Sequence, residues 1–192
     1  MTQRFDVVSI LDLKPRVLIE TNFGDITLEL EGEAAPLHTA NLLQYVDEAF
    51  YDGLLFHRNA CTLDTASGEC DPFVLQGGGF ERVDGELERR EATQDPVPSE
   101  ADNGLSNAEV YSVALALSGG DPQSGTTEFF INLGDNSFLD DTDFTVFASV
   151  VDGTDVVDAI VATERTTSPL PPQEESLPVE DVVIERMIRV GS

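Results

Sequence analysis

FHRNACTLDTASGECDPFVLQGGGF, residues 56–80, sets an arginine beside a histidine, then two cysteines around a small polar run, then an apolar pair leading into three glycines. The FHR and FVLQ flanks have strand character and the glycines form turns. The fourteen residues Asn59 to Pro72 therefore read as a loop inserted between two strands. A permanent charge next to such an insertion needs explaining.

On the N-terminal side, VLIETNFGDITLEL (17–30) is two strand-like runs about an Asn-Phe-Gly-Asp turn, with Ile26, Leu28 and Leu30 alternating against Thr27 and Glu29. That alternation predicts a hairpin with one buried face. APLHTANLLQYVDEAF (35–50) then changes period: Leu42, Leu43, Val46, Ala49 and Phe50 recur at three- and four-residue spacings behind Pro36, which predicts an amphipathic helix. On the C-terminal side, VYSVALAL, FFINL and FTVFASVV are short β-rich runs separated by Gly, Asp, Asn and Pro, a spacing that fits a sandwich or a closed barrel. A second helical stripe is formed by Val156, Val157, Ile160 and Val161. The proline-rich TTSPLPPQEESLPVED (166–181) is expected to be an irregular surface loop, and VVIERMIRV (182–190) a final strand that closes the sheet.

The 192 residues suffice for one domain with one sizeable core, here taken as 1–192 with a short N-terminal extension over 1–16. Apolar runs are far too short to span a bilayer, and Met1 to Asp12 lacks the pattern of an export signal. Ten Lys plus Arg face thirty-seven Asp plus Glu, a net charge of −27 that would repel a phosphate backbone and argues against nucleic acid. The acids are read as a solvated surface suited to high salt, which screens self-repulsion.

Eight residues separate Cys61 and Cys70, the only cysteines. That spacing matches neither a zinc knuckle nor a redox CxxC pair, leaving a local disulfide as the leading reading ahead of two free thiols and a metal. A disulfide would point to a periplasmic or exported protein, free thiols to the cytoplasm. QGGGF and SGGDPQSG lack the elements of nucleotide loops, and neither of the two histidines sits in a hydrolase motif. Asp140, Asp141 and Asp143 are taken as solvated turn acids. His57 is read as a packed histidine satisfied by backbone hydrogen bonds, and Arg58, from the residues alone, as a member of a structural ion pair.

The order of segments changes the reading of Arg58. FHR, FVLQGGGF, SEADNGLSN, EFFINLGDNSFLDD and FTVFASVVDGTDVVDAI, followed by a last β-run, resembles the cyclophilin family of peptidyl-prolyl isomerases, bacterial members in particular, from about Val17 to Val190. The resemblance implies a mainly β fold, a closed eight-stranded antiparallel barrel capped by two helices. It also implies an isomerase that needs no cofactor or metal, acts as a monomer and takes proline-containing peptide segments of client proteins. Arg58 becomes the catalytic donor. Phe73, Val74, Phe130, Leu139 and Phe144 become the proline socket, Gln76 an orienting residue, and Ala116 and Leu117 the lining of the peptide groove. Phe138 stands where cyclosporin-sensitive members carry tryptophan, so weak cyclosporin binding is expected. Val74, Phe144 and Glu128 depart from the usual methionine, histidine or tyrosine, and glutamine, and Glu128 is expected to pair with Arg58. A low-turnover proline-binding module or chaperone, and an acidic interaction protein with no groove, are the competing readings.

Overall fold

The computed structural model describes residues 13–63, 66, 67 and 69–191; the reading of Met1 to Asp12, and with it most of the N-terminal extension, lies outside the described residues. Strands β1 (Arg16–Thr21) and β2 (Gly24–Leu30) form the expected hairpin, with Ile19 opposite Ile26 and Val17 opposite Leu28, all fully buried. The Thr21 hydroxyl donates to the Gly24 carbonyl and accepts from the Phe23 amide, which tightens the turn.

Helix α1 (Pro36–Asp47) follows, burying Leu42, Leu43, Tyr45 and Val46. Its N-cap residue, Ala35, has no side-chain acceptor. The orphaned Leu37 and His38 amides donate instead to the carboxylate of Glu100, at 3.0 to 3.1 Å, and the His38 ring Nδ1 lies 2.7 Å from the same group. A carboxylate is well placed there, because the exposed amides and the helix dipole both favour negative charge. Burial lowers the His38 pKa, with Glu100 opposing it.

The remaining elements are β3 (Phe56–Leu63), β4 (Cys70–Gly77), β5 (Phe80–Val83), β6 (Glu86–Arg89), β7 (Ser112–Leu115), β8 (Phe129–Asn132), β9 (Val146–Asp152), α2 (Thr154–Val161), β10 (Arg165–Thr167), β11 (Glu175–Pro178) and β12 (Ile184–Val190). Eight strands make one curled antiparallel sheet in the order β12, β1, β2, β9, β7, β8, β4, β3. Its edges meet through a short seam rather than a full ladder: Leu55 bridges Val183, the Phe56 amide donates to the Val182 carbonyl at 2.9 Å, and the Ile184 amide to Leu54 at 2.8 Å. Inside the curl lies one apolar cluster that includes Val17, Ile26, Leu75, Val113, Phe129, Ile131 and Phe147, joined by Leu42 and Val46 of α1 and Val157 and Ile160 of α2. Phe129 meets Tyr51 and Phe56 edge to face, at 5.8 and 5.9 Å between ring centres.

Two expectations are corrected. The Asn59 to Pro72 insertion is not a loop throughout: its flanks, Asn59–Leu63 and Cys70–Pro72, continue the β3–β4 ladder past a register shift at Ala60 and Cys61, through Thr62 opposite Asp71 and Leu63 opposite Cys70. The end of this ladder, Thr62 and Leu63 against Cys70 to Pro72, is exposed and so carries no hydrophobic alternation to reveal it. Cys61 and Cys70 form a disulfide across it, with Cα atoms 5.4 Å apart. The proline-rich 166–181 connector is likewise not wholly irregular. β10 and β11 pair within it, Ser168, Ser176 and Leu177 are buried, and β11 packs against β3. Its prolines conceal the strands, as proline does at sheet edges.

The described cations are engaged. Lys14, Arg16, Arg58, Arg82, Arg89, Arg90, Arg186 and Arg189 each contact a carboxylate, and Arg165 donates to the Asn59 carbonyl.

Replacing Cys61 and Cys70 together by serine is expected to lower unfolding stability by about 2 kcal/mol, since the bond closes a short loop in the unfolded chain. Denaturant titration with and without reductant checks this: the parent should lose the same amount on reduction, and the double variant should not respond.

Candidate active site

Strand alternation places a second apolar cluster on the outer face of the sheet. Leu75, Phe129 and Ile131 belong to the inner core, whereas their sequence neighbours Val74 and Phe130 join Ala60, Ala114, Val146 and Leu139 outside it, with Phe73, Ala116 and Phe144 packed alongside. Leu139 comes from a 3-10 turn at Ser137–Thr142, and Phe144 follows Asp143, whose φ of 61° ends that turn. The rings of Phe130 and Phe144 meet edge to face at 5.6 Å. Phe138 is exposed and stacks on Phe73 at 5.9 Å, lengthening the wall outward.

A network of amides holds this wall in place. Asn136 donates to the Phe73 carbonyl at 2.9 Å and to Asn132, which donates to Asn107 and to the Ser112 hydroxyl. Asn107 in turn donates to the Phe144 carbonyl and to Asp140. Asp140 is therefore a structural acceptor and not simply a solvated turn acid; burial raises its pKa, but hydrogen bonds from Ser106 and Asn107 outweigh this and lower it.

The cluster borders a cavity of about 170 Å³. Its apolar walls are Phe73, Val74, Phe130, Leu139 and Phe144, and its rim is Arg58, Gln76, Ala116 and Leu117. Nine of the ten residues expected at the site thus surround one cavity; Glu128 is the exception. A larger cavity of about 750 Å³ adjoins it, sharing Arg58, Gln76, Ala116 and Leu117, and extends past His57, Arg89 and Glu128 to the 168–176 segment.

Arg58 on β3 stands opposite Gln76 on β4 and donates from Nη1 to the Gln76 side-chain oxygen at 3.2 Å. Its Nε donates to Glu174 at 2.6 Å, and its guanidinium lies 5.8 Å from the centre of the Phe73 ring. The ion pair anticipated from the residues alone does form, yet Arg58 also faces the cavity. Glu128 is not its partner. Glu128 accepts from Gln76 Nε2 at 2.9 Å, meets Arg89 at 2.5 Å, and lies 3.3 Å from His57 Nε2. His57 is buried as expected, but against this carboxylate and the Phe80 ring, not on backbone groups, and its Nδ1 has no partner. Burial pushes the Glu128 pKa up, but the hydrogen bond and charge of His57, the charge of Arg89 and the Gln76 amide prevail and hold it at about 2.

The same carboxylate accounts for one of the three glycines of QGGGF, and backbone conformation for another. A Cβ on Gly79 would lie 2.5 Å from Glu128 Cγ, and Gly78 has a φ of +86° that side chains rarely adopt. Neither Glu174 nor the amide network was found by sequence reasoning. Glu174 is 116 residues from Arg58 and lies in a segment without periodicity, so no local signal marks it.

The fold has close counterparts among solved structures. A Cryptosporidium parvum cyclophilin type peptidyl-prolyl cis-trans isomerase matches with a TM-score of 0.71 over 93% of this chain and 99% of that one, at 18% identity. The same score is given by a structure of that protein in the presence of the dipeptide Ala-Pro. The architecture is thus that of the cyclophilin class. In sequence, the family model for cyclophilin type peptidyl-prolyl cis-trans isomerases matches residues 16–189. A Streptomyces antibioticus peptidyl-prolyl cis-trans isomerase is 39% identical over 88% of this chain and 95% of its own length, and the Escherichia coli peptidyl-prolyl cis-trans isomerase B is 38% identical over 88% and 96%. The chain belongs to the cyclophilin-type peptidyl-prolyl cis-trans isomerase family.

Because the folded-state pKa of Glu128 lies below its ordinary value of 4.5, its ionised form contributes stability that is complete above about pH 4.5 and lost as pH falls toward 2. Glu128→Gln should therefore flatten the acid limb of a stability-against-pH curve, measured by urea unfolding between pH 2 and 5.

Proposed function

We propose that this peptidyl-prolyl cis-trans isomerase twists Xaa-Pro bonds in extended peptide segments, with the proline ring in the 170 Å³ cavity and Arg58 as the catalytic residue. The reading rests on one observation: a guanidinium borders the same small cavity as five apolar side chains. The cavity falls below the size range of drug-sized ligand pockets but admits a single small ring.

Rotation about a prolyl bond must break amide resonance, across a barrier of roughly 18 to 20 kcal/mol, while the cis and trans ground states differ little. No covalent intermediate is needed. An enzyme has only to bind the twisted amide better than either planar form. The prolyl nitrogen regains its lone pair as resonance is lost, so a donor aimed at it acts in the transition state and hardly at all before it. Arginine suits this role because it stays protonated. Socket contacts anchor the ring on one side of the bond, and the residue before proline lies along Ala116 and Leu117, where the two cavities meet.

The other assignments follow from the same picture. Phe138 offers no indole N–H, so cyclosporin binds weakly; the protein acts as a monomer on proline-containing segments of its clients; and the Cys61–Cys70 disulfide fits an oxidising, exported location. The competing low-turnover binding module has one contact in its favour, the Glu174 carboxylate on Arg58 Nε.

NMR exchange on an Ala-Pro peptide is the deciding experiment. The parent should accelerate exchange, and Arg58→Ala should lower kcat/KM by about 10²-fold while leaving the fold intact. Peptide binding without acceleration in the parent would establish the binding module instead.

A further inference from the structure

Arg58 is held from two sides by elements far apart in the chain. On one side stands Gln76, whose amide could adopt either orientation. Because its Nε2 donates to the Glu128 carboxylate, its oxygen is turned toward Arg58 Nη1. On the other side stands Glu174, which takes the Arg58 Nε–H at 2.6 Å. With Nε and Nη1 both engaged, rotation of the planar guanidinium is restrained, and the second Nη1 N–H and both Nη2 N–H groups are the donors that these two contacts leave for substrate.

Glu174 is itself firmly placed. Its carbonyl accepts two amides, Ser168 at 2.8 Å and Ser176 at 3.0 Å, which close the neck of the proline-rich 168–174 loop. Both serines are buried. The strand carrying Arg58 is tied to the same region: fully buried Asn59 donates to the Val161 carbonyl at the end of α2, and its carbonyl accepts from Arg165 on β10. The strand that carries Arg58 and the backbone that carries Glu174 thus share one scaffold, which keeps the two side chains within reach of each other.

We infer that Glu174 is a positioning residue for the isomerase reaction, fixing the guanidinium of Arg58 so that its remaining N–H groups face the proline cavity. This rests on the assignment of Arg58 as the catalytic residue. Its contribution appears in the transition state, where a misdirected donor loses most of its effect. The uncharged isostere keeps an acceptor oxygen but loses the charge-assisted bond.

The test compares Glu174→Gln, Glu174→Ala and Arg58→Ala in the full chain by NMR exchange on an Ala-Pro peptide, with the ¹⁵N Nε–H resonance of Arg58 recorded in each variant that retains it. Glu174→Ala should lower kcat about tenfold with KM nearly unchanged, Glu174→Gln should fall between it and the parent, and the slowly exchanging Nε–H signal should be lost in the alanine variant. If Arg58→Ala is inactive while both Glu174 variants turn over as fast as the parent or faster, Glu174 does not position Arg58 and the inference fails. If Arg58→Ala keeps the parent rate, the assignment of Arg58 itself fails. Thermal melting separates either outcome from unfolding, because Glu174→Gln preserves shape and volume.

Discussion

Successive side chains of a strand face opposite sides of the sheet, and this constraint builds both the core and the site. On β4, Leu75 fills the interior while Val74 and Gln76 face outward; on β8, Phe129 and Ile131 face inward and Phe130 outward. A site assembled on this outer face inherits the rigidity of the core behind it. A one-residue slip in the pairing of β4 with β8 would bury Gln76 and expose Leu75, so the register that secures stability also secures the geometry of the cavity. The amide network among Asn107, Asn132, Asn136 and Asp140 extends that rigidity to Leu139 and Phe144, which lie on no strand.

Electrostatics then selects what the outer face can do. A nearly buried carboxylate survives at Glu128 because a histidine, an arginine and an amide converge on it. Its influence reaches Arg58 only through Gln76, whose two ends read the two charges separately. This explains why an acidic residue is tolerated beside the donor without capturing it. Direct contact with a carboxylate is reserved for Glu174, at the Nε edge and away from the apolar wall.

The first hairpin and both helices were legible because each has one buried face and a clear period. The residues that line the smaller cavity were grouped only through segment order; no periodicity distinguishes Phe130 on the outer face from Phe129 within. Three features left no local trace. The outer end of the β3–β4 ladder, Thr62 and Leu63 against Cys70 to Pro72, is exposed, so hydrophobic alternation is missing there. β11 ends in a proline and β10 is only three residues long, beside the proline-rich run, so neither stands out as a strand. Glu100 and Glu174 act across more than sixty residues on a helix terminus and on a guanidinium, and in so acidic a chain nothing singles out two carboxylates.

The ion pairs recorded across the surface bear on the medium in which the protein folds. Every described lysine and arginine is already committed to a specific acceptor, yet the chain carries a net charge of −27. The protein's own cations are too few to offset the surplus acids. Dissolved cations must do so, gathering around the folded form more densely than around the expanded chain, where the same charges lie farther apart. Counter-ions are therefore thermodynamic participants in folding, taken up as the chain compacts, and the salt around the molecule acts as one of its ligands.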